Sequence, residues 1–175
     1  MVKVVIGLIV AAVVIIGGIF VINPLVNGTT SETTEVSEKN SYTIEGEVAL
    51  PGTYSLSSTV TLADLIDAAG GTTSNADELA YFETAEISKG SSYYIASKYD
   101  ASDVCNDTEI TKVNVNLDSA DVLVTVNGIS TSVANSIVSY REENGIYNTI
   151  EDLMNVYGIG NATYRKIRNY VILHE

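Results

Sequence analysis

Two short stretches of this chain have the residue types needed to hold an oxyanion. They are Val126-Asn127-Gly128-Ile129-Ser130-Thr131 and Val156-Tyr157-Gly158-Ile159-Gly160-Asn161. Glycine permits positive φ and lets another group approach the backbone closely. A helix start leaves several N–H groups without intrahelical partners, and the aligned peptide dipoles add partial positive charge there. A glycine turn that opens a helix can therefore present amides to a phosphate without net positive charge. Gly158, Ile159, Gly160 and Asn161 form the fuller version, and Arg165, Lys166 and Arg168 follow them. At about 100° per residue, Tyr164, Ile167, Tyr170 and Val171 share one side of a helix, and the three cations take the opposite arc. In the first stretch Ser130 stands where a second glycine would be, so it is expected to cap the next helix instead. No cation follows until Arg141, which Glu142 and Glu143 follow at once. The bland alternative for the three later cations is an ordinary solvated helix face.

Both stretches belong to an internal repeat. Leu123, Val126, Gly128, Ile129, Ile137 and Tyr140 recur 30 residues later as Leu153, Val156, Gly158, Ile159, Ile167 and Tyr170, and Asp121 recurs as Glu151. Each unit reads as a short helix, a glycine turn and a longer helix. One unit alone cannot bury its apolar face; two packed together can.

The net charge of −13 argues against nucleic acid only until its distribution is read. Residues 32–110 hold 15 acidic and 3 basic side chains, residues 111–175 only 7 and 5. The acid thus sits in the middle of the chain, and a local cationic arc can act where net charge does not. A lone cysteine, Cys105, lies among Asp103, Asp107 and Glu109, surroundings that suppress thiolate. The lone histidine, His174, is penultimate and is expected to fray. The carboxylates show no metal-site spacing. The chain therefore reads as a binding protein, not an enzyme, with no resident metal or cofactor.

Val4 to Ile22 is 19 residues without a charge, long enough to span a hydrocarbon core of about 30 Å. A cleavable signal would have a shorter apolar region ending in small residues. We therefore expect an uncleaved transmembrane anchor over residues 1–26. Lys3 and the amino terminus set the N-terminus on the cytoplasmic side and the remainder outside the cell. Residues 27–41, rich in Thr, Ser and Glu, read as a polar linker.

From residue 42 the pattern changes. Tyr42 to Val48 alternates as a strand does, and Pro51-Gly52 marks a turn. Leu62, Leu65, Ile66 and Ala69 form the stripe of a helix that Thr61 caps and Gly70-Gly71 ends. Lys89-Gly90 marks another turn, before a strand from Ser91 to Ala96. The motifs Gly46-Glu47-Val48, Pro51-Gly52-Thr53-Tyr54, Ala69-Gly70-Gly71 and Ala76-Asp77 resemble the SLBB (soluble-ligand-binding β-grasp) domain over about 55 residues. The expected architecture is α+β: the anchor, a small β-grasp-like SLBB domain over 42–100, a linker or partial closing strand over 101–111, and an all-α pair of hairpins over 112–175.

The 60 or so residues from Val113 on, and above all Ser139-Tyr140-Arg141-Glu142-Glu143-Asn144-Gly145 and Thr149 to Gly160, resemble tandem helix-hairpin-helix DNA-binding proteins. In the order anchor, SLBB domain, hairpin pair, the chain is similar to the competence protein ComEA family. That resemblance implies a membrane-tethered receptor for double-stranded DNA outside the cell, which passes its DNA to an uptake channel protein during transformation. It places phosphate contacts at Gly158 to Asn161 with Arg165, Lys166 and Arg168, and weaker ones at Gly128, Ser130 and Thr131. The family often has a lysine shortly after each hairpin; here those positions are Val133 and Ala162. Some members hold a monovalent cation on hairpin carbonyls. Three or four cations imply weak, sequence-independent binding, with a log-affinity against log-salt slope of magnitude roughly 2–4. Two other readings stand beside this one. The hairpin pair and the SLBB domain, whose family implies self-association, can serve protein assembly. Alternatively, Tyr81, Phe82, Tyr93, Tyr94 and Tyr99 can stack on a polysaccharide or small ligand, although packing explains most of them.

Overall fold

The computed structural model describes residues 40–57, 59–100 and 108–175. The expected anchor, its linker and Cys105 lie outside the described residues. Among those described, no helix is long and apolar enough to cross a membrane. The described residues form a single compact unit.

Its first half is a small grasp. Strands β1 (Asn40–Gly46) and β2 (Gly52–Leu56) pair antiparallel, and β3 (Ser92–Ile95) adds parallel to β1, giving the order β2-β1-β3. Parallel addition needs a crossover, and helix α1 (Leu62–Ala68) lies within it. Thr61 caps α1 as its sequence suggests. The Thr61 Oγ1 accepts from the Asp64 amide, and the Asp64 carboxylate accepts from the Thr61 amide at 2.8 Å. Strand β1 ends earlier than its alternation suggests, because Gly46 turns the chain with φ +87° and leaves no room for a side chain against the Ile95 carbonyl. Ile44, Leu65 and Ile95, all fully buried, centre this core, and Tyr81 and Tyr93 are buried within it.

The second half contains both hairpins. Helix α2 (Ala120–Leu123) precedes the first glycine turn and α3 (Thr131–Asn144) follows it. A 3-10 turn (Ile150–Asn155) precedes the second, and α4 (Asn161–Ile167) follows. The all-α expectation needs one correction. Val113–Asn114 (β4) and Val171–Ile172 (β5) pair in parallel and clasp the two ends of the repeat. Helix α4 therefore stops at Ile167, and Tyr170 and Val171 lie beyond it rather than on its apolar side. Leu123, Ile137, Leu153 and Ile167, matched pairs of the repeat, are fully buried in one shared core. Asn116 ties its ends: Nδ2 donates to the carbonyls of Tyr147 (3.0 Å) and Leu173 (2.9 Å), and Oδ1 accepts from the Tyr147 amide.

Tyr147 is fully buried, and its hydroxyl donates to the Ile137 carbonyl at 2.8 Å. Tyr147→Phe leaves that carbonyl without this donor and should cost about 1–2 kcal/mol. Urea unfolding, read as a lowered midpoint at unchanged slope, checks this.

Candidate nucleic-acid interface

The two glycine turns are built alike. Gly128 has φ +119° and Gly158 φ +93°, a region only glycine enters cheaply. The Ile129 amide donates to the Val126 carbonyl at 3.0 Å, and the Ile159 amide to Val156 at 3.1 Å. Ile129 and Ile159 bury their side chains in the core, so what each offers outward is backbone.

The turns differ at the helix start. Ser130 caps α3, its Oγ accepting from the Val133 amide at 3.3 Å, so one first-turn N–H is already engaged. Gly160 occupies the same place before α4 and makes no side-chain cap bond. Gly158, Gly160 and Asn161 are exposed, and Tyr157 at the turn's tip is 87% exposed. The second turn is thus the more open cradle. The turns also pack on each other's helices. A Cβ on Gly128 would lie 3.0 Å from Ile167 Cγ2, and one on Gly158 would lie 3.2 Å from Val133 Cγ2.

The cations divide differently from the helical-arc expectation. Arg165 and Lys166 are exposed on α4. Arg168, the C-cap of α4, keeps helical backbone and donates its amide to the Tyr164 carbonyl at 2.8 Å, but its side chain is taken up by the SLBB sheet. Its guanidinium lies 3.6 Å over the centroid of the Tyr94 ring and 3.3 Å from a Glu45 carboxylate oxygen, both on the SLBB sheet. Arg141 donates from both terminal nitrogens, to the carbonyls of Val115 and Asp118, each at 2.7 Å. Lys112 lies buried 2.7 Å from the buried Asp77 carboxylate. Of the five basic residues between 111 and 175, three hold the structure together and two are presented outward.

The Arg168 and Lys112 contacts belong to a junction that the sequence did not reveal. Strand β3 is a sheet edge, and the hairpin pair covers it. The Tyr94 amide donates to Glu151 Oε1 at 2.8 Å, and the Ser97 amide donates to Asn169 Oδ1 at 2.8 Å. Tyr164 donates its hydroxyl to the same Glu151 oxygen at 2.7 Å. Desolvation is the largest influence on Glu151 and pushes its carboxyl up to about 7 against these favourable bonds. Tyr164 is pushed up, first by burial and then by the Glu151 charge. His174, expected to fray, instead stacks on Phe82 at 4.7 Å, and its backbone amide reaches the Leu79 carbonyl. The aromatic residues offered for sugar stacking are largely consumed: Tyr81 and Tyr93 are core, Phe82 lies against His174 and Tyr94 under Arg168.

A glycine-turn repeat on a shared core, with two outward cations, defines a helix-hairpin-helix protein. The comparisons agree. The family described as helix-hairpin-helix motif matches residues 108–172, and the SLBB domain family matches residues 41–96. The chain is 34% identical to ComE operon protein 1 of Bacillus subtilis over 138 residues, covering 73% of this chain and 67% of that protein. Shorter likenesses include an uncharacterized protein of Haemophilus influenzae, 39% identical over 62 residues, covering 35% of this chain and 55% of that protein. Another is the endonuclease/exonuclease/phosphatase family domain-containing protein 1 of Mus musculus, 40% identical over 60 residues, covering 34% of this chain and a tenth (10%) of that protein. This chain belongs to the ComEA family of DNA-binding competence proteins.

Proposed function

We propose that the chain is a membrane-anchored, extracytoplasmic receptor that grips double-stranded DNA by its phosphates and delivers it to an uptake channel protein during transformation. The anchor is Val4 to Ile22, with the N-terminus cytoplasmic. The observation that carries the reading is the second hairpin: an uncapped, exposed turn at Gly158 to Asn161 with Arg165 and Lys166 outward on the helix that follows. Gly128, Ser130 and Thr131 make the second, weaker contact. Arg168 acts from the junction, where it fixes the end of α4. Backbone amides and flexible cations read phosphate, which carries no sequence information directly, so binding is indifferent to sequence.

With two outward cations, the log-affinity against log-salt slope falls to a magnitude of about 2, the low end of the sequence expectation. Fluorescence anisotropy of the full chain in detergent, with labelled duplexes of unrelated sequence across a salt series, measures it. Equal affinities for the duplexes and a slope near 2 are expected. Binding that is absent at low salt, or insensitive to salt, overturns the reading. Protease accessibility on intact cells tests the topology: cleavage beyond residue 40 is expected, and protection of that part overturns the extracytoplasmic placement.

A further inference from the structure

We infer that Lys166, although it belongs to the second hairpin's helix, neutralises the phosphate held at the first hairpin's turn. This rests on the DNA reading above and assigns one of its cations. The first turn has no cation of its own: Val133 stands early on α3, and Arg141, the first basic residue of that helix, spends both terminal nitrogens on the Val115 and Asp118 carbonyls. Yet the first turn is not without a neighbouring cation. A Cβ on Gly128 would lie 3.1 Å from Lys166 Cδ and 3.4 Å from Lys166 Cγ. The lysine's stem therefore runs across the Gly128 turn. Its ammonium is carried two bonds further on, at the end of a flexible four-carbon chain, and the residue is exposed. Each turn packs against the other unit's helix, but at different positions along it: Gly128 under Ile167 and Lys166, Gly158 under Val133, whose counterpart is Thr163. Gly128 is thus required twice, for its positive φ and for the room it leaves Lys166. Arg165 lies about 100° around α4 from Lys166. The weaker hairpin is completed in trans, and the absence of a lysine on α3 is offset by one from α4.

The test is a double-mutant cycle on the full chain in detergent, read by anisotropy with a labelled duplex at low salt. Thr131→Glu blocks the first turn and Asn161→Glu the second. Both residues are exposed first positions of helices, where a carboxylate favours the helix while repelling phosphate. Lys166→Ala is expected to weaken binding about fivefold in the unsubstituted chain and beside Asn161→Glu, but under about twofold beside Thr131→Glu. The reverse coupling, or an equal loss in every background, overturns the assignment while leaving the DNA reading intact. No salt-sensitive binding by the unsubstituted chain overturns both.

Discussion

Reversing the two outward cations, Arg165→Glu with Lys166→Glu, is expected to weaken duplex binding by about a hundredfold or more and to flatten its salt dependence. The magnitude follows from what remains. Lys112, Arg141 and Arg168 are each engaged with carboxylates or carbonyls inside the fold. No other basic residue between 111 and 175 can take over, and the change puts two carboxylates beside the phosphates. The fold should survive, since both side chains are exposed. Arg168→Ala is the informative contrast. Its pair with Glu45 is partly solvated and worth little, and the contact with the Tyr94 ring adds about 1 kcal/mol. That variant should lose about 1 kcal/mol of stability and keep the salt slope near 2. Equal damage to binding from Arg168→Ala would place its guanidinium on DNA. Anisotropy across a salt series and a denaturation curve for each variant separate the two roles.

What was legible in the sequence was local or repeated. The cap at Thr61, the glycine turns at Gly128 and Gly158 and the shared core of Leu123, Ile137, Leu153 and Ile167 depend on neighbours in sequence or on a 30-residue offset, and both are visible in a string of letters. What stayed hidden depends on the packing of the two halves. Helical spacing carried α4 on to Val171, because nothing local to Arg168 announces that Val171 will pair with Val113. Arg168 keeps its place on the helical arc, but Tyr94 and Glu45, more than 70 residues earlier, claim its side chain for the SLBB sheet. His174 looked frayed for the same reason: its partner Phe82 lies 92 residues earlier. Arg141 looked like the first hairpin's late cation, yet the carbonyls it serves, on Val115 and Asp118, come before the hairpin begins. The repeat itself misled at one point. It paired Glu151 with Asp121 as equivalents, but Asp121 is exposed and Glu151 faces a sheet edge that only one of the two units meets.

Glu151→Gln is expected to remove a pH dependence of stability that the unsubstituted chain shows between about pH 4.5 and 7. The carboxyl is desolvated where it meets the Tyr94 amide and the Tyr164 hydroxyl, and the nearby Asp152 charge, itself bonded to the Asn148 and Thr149 amides, adds repulsion. Its folded-state value lies near 7, above the 4.5 of the free group. Between those values the folded chain holds a proton that the unfolded chain has released, so raising the pH disfavours folding. The cost is absent below the unfolded value, grows through the window and is complete once pH exceeds the folded value. A shift of that size corresponds to roughly 3 kcal/mol. Glutamine keeps an oxygen acceptor for both donors and carries no charge to desolvate. The variant should therefore match the unsubstituted chain near pH 4.5 and be more stable than it near pH 8 by up to about 3 kcal/mol. Stability measured by denaturant across pH 4–8 on both chains decides the matter; parallel curves would show that Glu151 ionises in the folded chain as freely as in the unfolded one. Because Glu151 bonds at once to the SLBB edge and to α4, the same titration should loosen the junction, and protection of the Tyr94 amide, measured relative to its intrinsic exchange rate at each pH, should fall above pH 7 in the unsubstituted chain alone.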